Sequence, residues 1–164
     1  MNAAHLHLIL NHVPVLGTLI ALLLLITALV EKSEDLRRAA LALFVGVALM
    51  AVPVFLSGEP AGELVERLPG VTSQQIDRHE DAATQALIAV GVVGVLAIGA
   101  LAVTRRSARA ARALTVATLV VGIVTGGLMA RAAFLGGQVR HSELQAGAAA
   151  VPAGGELGEQ PEGH

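Results

Sequence analysis

The chain has 164 residues, a length typical of a single domain. Apolar residues make up 54% of the chain and charged residues only 15%, against roughly one quarter in soluble domains. The mean hydropathy of +0.70 therefore indicates a membrane protein. The lack of cysteine excludes disulfides and thiolate chemistry, and a net charge of −2 argues against nucleic acid as a partner.

Four apolar runs without any charge stand out, at residues 13–30, 39–56, 82–103 and 113–130. A helix of about 18 residues is about 27 Å long, which is enough to cross the hydrocarbon core of a lipid bilayer. A soluble bundle would instead carry polar residues at helical spacing within such runs. The sequence predicts an all-α, four-helix transmembrane bundle. Its helices are expected at about 5–30, 38–57, 73–104 and 110–135.

The charges on the connections predict the orientation of the bundle. Connections 31–38 and 104–112 are short and rich in Lys and Arg, whereas connection 57–81 and the C-terminal segment carry most of the carboxylates. By the positive-inside rule, both short connections lie in the cytoplasm. Both termini and the long connection would then face the periplasmic side.

The long connection is expected to contain structure of its own. Residues 57–60 include a glycine and a proline that end the second helix, and the apolar spacing over 60–68 predicts a short helix lying on the membrane. Thr72 and Gln75 fit a capping box that begins the third helix. That helix would project outward from the bilayer before it enters the apolar core.

The composition changes near residue 144. From there to the C-terminus the chain is rich in Gly, Ala, Pro and Glu, which predicts a disordered tail over 144–164 after a transmembrane domain of residues 1–143. His164 is the last residue of this tail and carries no functional prediction.

The histidines are the main chemical signal. There are six, all on the predicted outer side, and five adjoin the outer ends of helices: His5, His7, His12, His79 and His141. Neutral imidazole is the commonest protein metal ligand and the usual axial ligand of a b-type haem. Four-helix bundles build cofactor sites from side chains on facing helices, so these histidines predict such a site.

Spacing along the first helix separates its histidines. His5 and His12 lie two helical turns apart, so in a continuous helix they share a face while His7 points elsewhere. Pro14 offers a second possibility, because proline favours the first turn of a helix that begins near residue 13.

Small residues surround the other two histidines. His79 lies above a wall of alanines at 82, 83 and 86, which leaves room for a flat macrocycle or for close helix packing. His141 follows Gly136 and Gly137, which predict a turn that brings the chain back over the bundle mouth.

Two arginines lie near these histidines. Arg131 lies close to the outer end of the fourth helix, and Arg140 precedes His141. Guanidinium groups bind carboxylates in a bidentate manner, so both are candidates to hold haem propionates. The alternative for Arg131 is that it extends to the interface or pairs with Glu80 or Asp81.

Three strings of sequence look familiar together: residues 8–14 (LILNHVP), 68–70 (LPG) leading to His79-Glu80, and 136–143 (GGQVRHSE). They resemble a group of small, uncharacterised four-helix bacterial membrane proteins with a domain of unknown function. The resemblance covers about residues 3–143. It implies a four-helix fold in the bacterial cytoplasmic (inner) membrane and implies no activity. The architecture is also broadly similar to histidine-ligated cytochrome b subunits.

The leading functional hypothesis is that the protein binds haem b near the periplasmic face and transfers electrons. His79 and His12 would form the axial pair, and His141 with His5 or His7 would serve a second haem. Quinol or a periplasmic cytochrome would exchange electrons with it, and the chain could be one subunit of a larger membrane complex.

Two alternatives stay open. Copper or zinc could be bound by His12, His79 and His141, with Glu80 or Asp81 as a further ligand. The protein could also be a cofactor-free scaffold that docks a partner through its outer loop and acidic tail. The sequence shows no nucleophile and base at a spacing typical of a catalytic site, so an electron-transfer or binding protein is favoured over a stand-alone enzyme.

Overall fold

The computed structural model describes residues 3–67 and 70–140, and all regular structure within them is helical. Six helices follow one another: α1 (Ala3–Leu10), α2 (His12–Val30), α3 (Glu34–Leu56), α4 (Gly58–Val65), α5 (Ser73–Val103) and α6 (Ala108–Arg140). The predicted tail, His141 and His164 lie outside the described residues.

Within the described residues, four helical segments are long and apolar enough to cross a membrane: His5–Val30, Glu34–Val65, Ser73–Val103 and Ala108–Val139. The first segment joins α1 to α2 across a turn at Asn11, and the second joins α3 to α4 across a turn at Ser57. The prediction of an all-α fold with four membrane-spanning helices is confirmed.

The four spans pack into a closed bundle. The α5–α6 hairpin forms the largest interface, α3 packs against both α2 and α5, and α2 also contacts α6. Helix α1 packs on α4 at one end of the bundle. We call this the histidine end, because His7 of α1 and His79 of α5 lie there, and the opposite end, with Arg37 and connection 104–107, the arginine end.

Side-chain hydrogen bonds mark the starts of α3 and α5. Ser33 Oγ accepts a hydrogen bond from the Leu36 amide at 3.3 Å, and Glu34 adds negative charge to the first turn. This cap explains why α3 begins before the predicted residue 38. The Thr72 amide donates to Gln75 Oε1 at 2.9 Å, so the capping box predicted at the start of α5 is present.

Small residues bring the spans into close contact. Phe44, Leu25 and Leu41 are fully buried among alanines, whereas many leucine, isoleucine and valine side chains face outward. A Cβ atom on Gly94 would lie 2.7 Å from the Ala48 Cβ, so glycine lets α5 approach α3 closely. Such packing is typical of membrane helices, which gain little from hydrophobic burial against each other.

Helix α6 is longer than the sequence indicated. We expected it to end near residue 135 and the chain to turn back at the glycines, but the helix continues through Gly136 and Gly137 to Arg140. Glycine weakens a helix interior by about 1 kcal/mol, yet packing along a neighbouring helix readily outweighs such a preference. The long partner is α5, which extends past the bilayer run at the same end.

Candidate functional site

His7 is held against the junction between α3 and α4. Its Nδ1 atom lies 3.2 Å from the Val54 carbonyl oxygen and 2.9 Å from Ser57 Oγ. The Ser57 hydroxyl itself donates to the Val54 carbonyl at 2.6 Å. Because the hydroxyl proton is used in that bond, the His7 Nδ1–H must be the donor to this pair. The other ring nitrogen, Nε2, is then the one with the free lone pair.

His79 lies on α5 and is held against α6. Its Nδ1 atom is 3.0 Å from the carbonyl oxygen of Ala132, which can only accept, so Nδ1 donates here as well. Gly136 lies across the ring: a Cβ atom at that position would be 3.0 Å from the His79 Cε1. Such a contact is tighter than ordinary van der Waals packing, so glycine relieves crowding between the α6 backbone and the ring. The alanines Ala82 and Ala86 below the ring are buried, so the wall predicted there serves helix packing.

The two imidazoles come together at the histidine end. The ring centroids of His7 and His79 are 6.4 Å apart, with an angle of 80° between the ring planes. Each ring is bonded to a main-chain carbonyl of another helix, His7 to α3 and His79 to α6. The pair therefore connects all four spans at one level of the bundle.

His12 lies apart from this pair. It is exposed, and its Nδ1 atom is 2.8 Å from the Leu8 carbonyl one turn earlier. The sequence predicted His12 as the partner of His79, but the ring beside His79 belongs to His7. The first span is apolar on every side, so its pattern does not define which face turns inward. His5 is exposed, like His12.

Of the two arginines predicted to hold propionates, the structure describes the side chain of Arg131 and not that of Arg140. The exposed Arg131 donates from Nη1 to Gln85 Oε1 at 3.1 Å, so its partner is a neutral amide and not the Glu80 or Asp81 considered above. Arg140 is the last residue of α6, and its side chain, like His141, lies outside the described part of the chain.

Glu80 faces a groove between α4 and α5. A Cβ atom on Gly62 of α4 would lie 3.6 Å from the Glu80 Oε1. The groove has a volume of about 290 Å³, and five carboxylates line it: Glu59, Glu63, Glu66, Asp77 and Glu80. Within residues 3–67 and 70–140, no group of three or more His, Asp or Glu side chains is placed to hold a metal ion.

Four groups that contact the imidazoles were not foreseen from the sequence: Ser57, Gly136 and the carbonyls of Val54 and Ala132. Each becomes recognisable only when the neighbouring helix is known. The one available signal was the helix-ending string at residues 57–60, which places a hydroxyl and unpaired carbonyls at the end of α3.

Comparison with known proteins agrees with this architecture. Residues 3–144 match the family model described as Predicted membrane protein (DUF2231), a span that includes every described helix. No curated protein and no solved structure matches the chain. The resemblance to uncharacterised four-helix membrane proteins is thereby confirmed, and the chain belongs to the DUF2231 family of predicted membrane proteins.

Proposed function

We propose that this membrane protein binds haem b at its histidine end, with His7 and His79 as axial ligands, and transfers electrons. The observation that carries the proposal is the 6.4 Å separation of the two ring centroids. The two imidazoles come from different helices and lie close together, so both could supply a nitrogen to one haem iron.

The hydrogen bonds of both rings suit the same role. Histidines that bind metals usually donate their other ring N–H to a carbonyl or carboxylate, which sets the tautomer and the ring orientation. The Nδ1 atoms of His7 and His79 make such bonds, to Val54 and Ala132. Each ring thus keeps Nε2 as the nitrogen that could bind iron, and the donor chemistry fits a haem.

The number of ligands favours haem over a bare copper or zinc ion. A porphyrin supplies four nitrogens itself and needs two protein ligands, whereas zinc and copper sites use three or four. Two imidazoles meet in the described part of the chain, and no third His, Asp or Glu joins them there. Glu80, the carboxylate closest in sequence, faces α4 instead.

When bound, haem would supply the one-electron couple, and the chain would position it. Arg131 immediately precedes Ala132, whose carbonyl holds His79, and within the described residues its guanidinium bonds the neutral amide of Gln85. A propionate could take over that contact. We propose Arg131 and Arg140 as propionate anchors, with quinol or a periplasmic cytochrome as electron partner and the histidine end on the periplasmic side of the inner membrane.

Absorption spectra of purified protein test this proposal. The protein is made in cells that supply haem, and oxidised and dithionite-reduced spectra are recorded for the parent, His7→Ala and His79→Ala. We expect a Soret band and sharp reduced α and β bands in the parent, lost in both variants. His5→Ala and His12→Ala are the matched controls and should keep the parent spectrum, since both side chains are exposed.

Three results would contradict the proposal. A parent spectrum without these bands would exclude haem. Metal analysis of the same sample would then distinguish a copper or zinc site from a scaffold without cofactor. Loss of the bands in His12→Ala but not in His7→Ala would restore the pairing expected from the sequence. Bands that survive both His7→Ala and His79→Ala would place any haem elsewhere.

A further inference from the structure

The arginine end carries a patch of four arginines around the connection between α5 and α6. Arg105, Arg106, Arg109 and Arg112 are all exposed, and we call them the arginine patch. The segment 104–112 contains no carboxylate. Helix α6 begins within it, at Ala108, so the positive end of the helix dipole adds to the same field.

The neighbouring connection cannot neutralise this patch. Segment 31–38 lies at the same end, because the Arg37 side chain bonds both Thr104 and Thr115. It holds three acids and three bases, and is therefore neutral by itself. Within this segment Glu34 pairs with Arg37 and Arg38. The charge of the arginine patch thus faces outward without a carboxylate partner from the described chain.

The patch continues directly into an apolar surface. Arg109 and Arg112 share one face of α6 with Val116, Val120 and Ile123, which follow at intervals of three or four residues. All three aliphatic side chains are exposed on the outside of the bundle. The guanidinium groups therefore lie at the end of an apolar stripe that contacts acyl chains. Charged and apolar groups follow one another in the same order as the headgroup and the acyl chains of a phospholipid.

We infer that the arginine patch, with the stripe below it, binds phospholipids of net negative headgroup in preference to zwitterionic ones. Arginine binds phosphate oxygens with two parallel hydrogen bonds, and basic residues at a membrane surface attract anionic lipids. The apolar stripe distinguishes this partner from free phosphate, which has nothing to place against it. The inference concerns the opposite end from the histidine pair and does not depend on haem.

Native mass spectrometry of the full chain in detergent tests the inference. The protein is titrated with phosphatidylglycerol or with phosphatidylcholine of the same acyl chains, and the bound states are compared. We expect the parent to prefer phosphatidylglycerol, and we expect this preference to fall at least tenfold in Arg109→Gln/Arg112→Gln. Each arginine near a membrane surface contributes about fivefold to the affinity for anionic lipid at low salt. The control Lys32→Gln/Arg38→Gln removes the same charge at the same end and should lose far less.

Other outcomes would overturn the inference. Equal binding of both lipids by the parent would do so, as would equal losses in the two double variants. Full displacement of phosphatidylglycerol by excess inorganic phosphate would identify a phosphate site instead of a lipid site. Both variants replace exposed side chains, and a thermal unfolding curve equal to the parent's would show that folding is retained.

Discussion

The imidazole rings of His7 and His79 lie 6.4 Å apart, and each donates from Nδ1 to a main-chain carbonyl of another helix. The position of the pair is therefore decided by the end of α3 and by the backbone of α6. Changes to those two elements should move the rings even when neither histidine is altered.

Gly136→Ala should disturb the site while Gly137→Ala should not. A Cβ atom at 136 would lie 3.0 Å from the His79 Cε1, whereas one at 137 would meet nothing within 4 Å. Both substitutions gain about 1 kcal/mol of helix propensity, and only Gly136→Ala adds an overpacking cost of about 1–3 kcal/mol. Gly136→Ala should therefore be less stable than Gly137→Ala by about 1–3 kcal/mol. Thermal unfolding in detergent measures this. Equal stability of the two variants would mean that the α6 backbone does not press on the ring.

Arg37→Gln should destabilise the arginine end. The Arg37 guanidinium donates to Thr115 Oγ1 at 3.0 Å and to Thr104 Oγ1 at 3.1 Å, and it also pairs with Glu34. Loss of these bonds should lower the free energy of unfolding by about 1–3 kcal/mol. In the control Arg38→Gln, an exposed pair with Glu34 is removed, and the change should stay within about 0.5 kcal/mol. Similar values for both variants would remove the special role of Arg37.

Gly94→Ala should separate α3 from α5. The added Cβ would lie 2.7 Å from the Ala48 Cβ, a rigid atom that cannot turn away, whereas a Cβ at Gly91 would meet nothing within 4 Å. Both substitutions gain about 1 kcal/mol of helix propensity, so we expect Gly94→Ala to be less stable than Gly91→Ala by the overpacking cost of about 1–3 kcal/mol. Adding Ala48→Gly to Gly94→Ala should recover part of the loss in a double-mutant cycle. Additive effects in that cycle would contradict a direct contact.

Thr18→Val should stabilise the bundle. Thr18 is fully buried, and no group in the described residues bonds its hydroxyl. An unsatisfied buried hydroxyl costs about 1–3 kcal/mol, so an apolar residue of the same shape should raise the free energy of unfolding by about 1 kcal/mol. Thr125 is equally buried but donates to the Val121 carbonyl at 2.9 Å. Thr125→Val should therefore give no gain, and a gain of equal size there would contradict the argument.

Much of the fold follows from local properties of the sequence. Four uncharged runs of bilayer length predicted four spans, because charged side chains are costly in hydrocarbon. Thr72 and Gln75 predicted the start of α5, since a capping box involves only neighbouring residues. The predicted end of α6 was wrong: Gly136 and Gly137 favour a break locally, but the helix, which packs along α5, continues to Arg140.

The histidine site, too, was predicted from the sequence only in part. The sequence determined that imidazoles gather at one end of the bundle, because their positions along the helices follow from counting residues. Only the tertiary structure decided that His7, and not His12, lies beside His79. A helix that is apolar all round carries no preferred inward face. Its rotation is decided by close contacts such as Gly17 with Val47, where a Cβ would lie 2.6 Å from the valine methyl group.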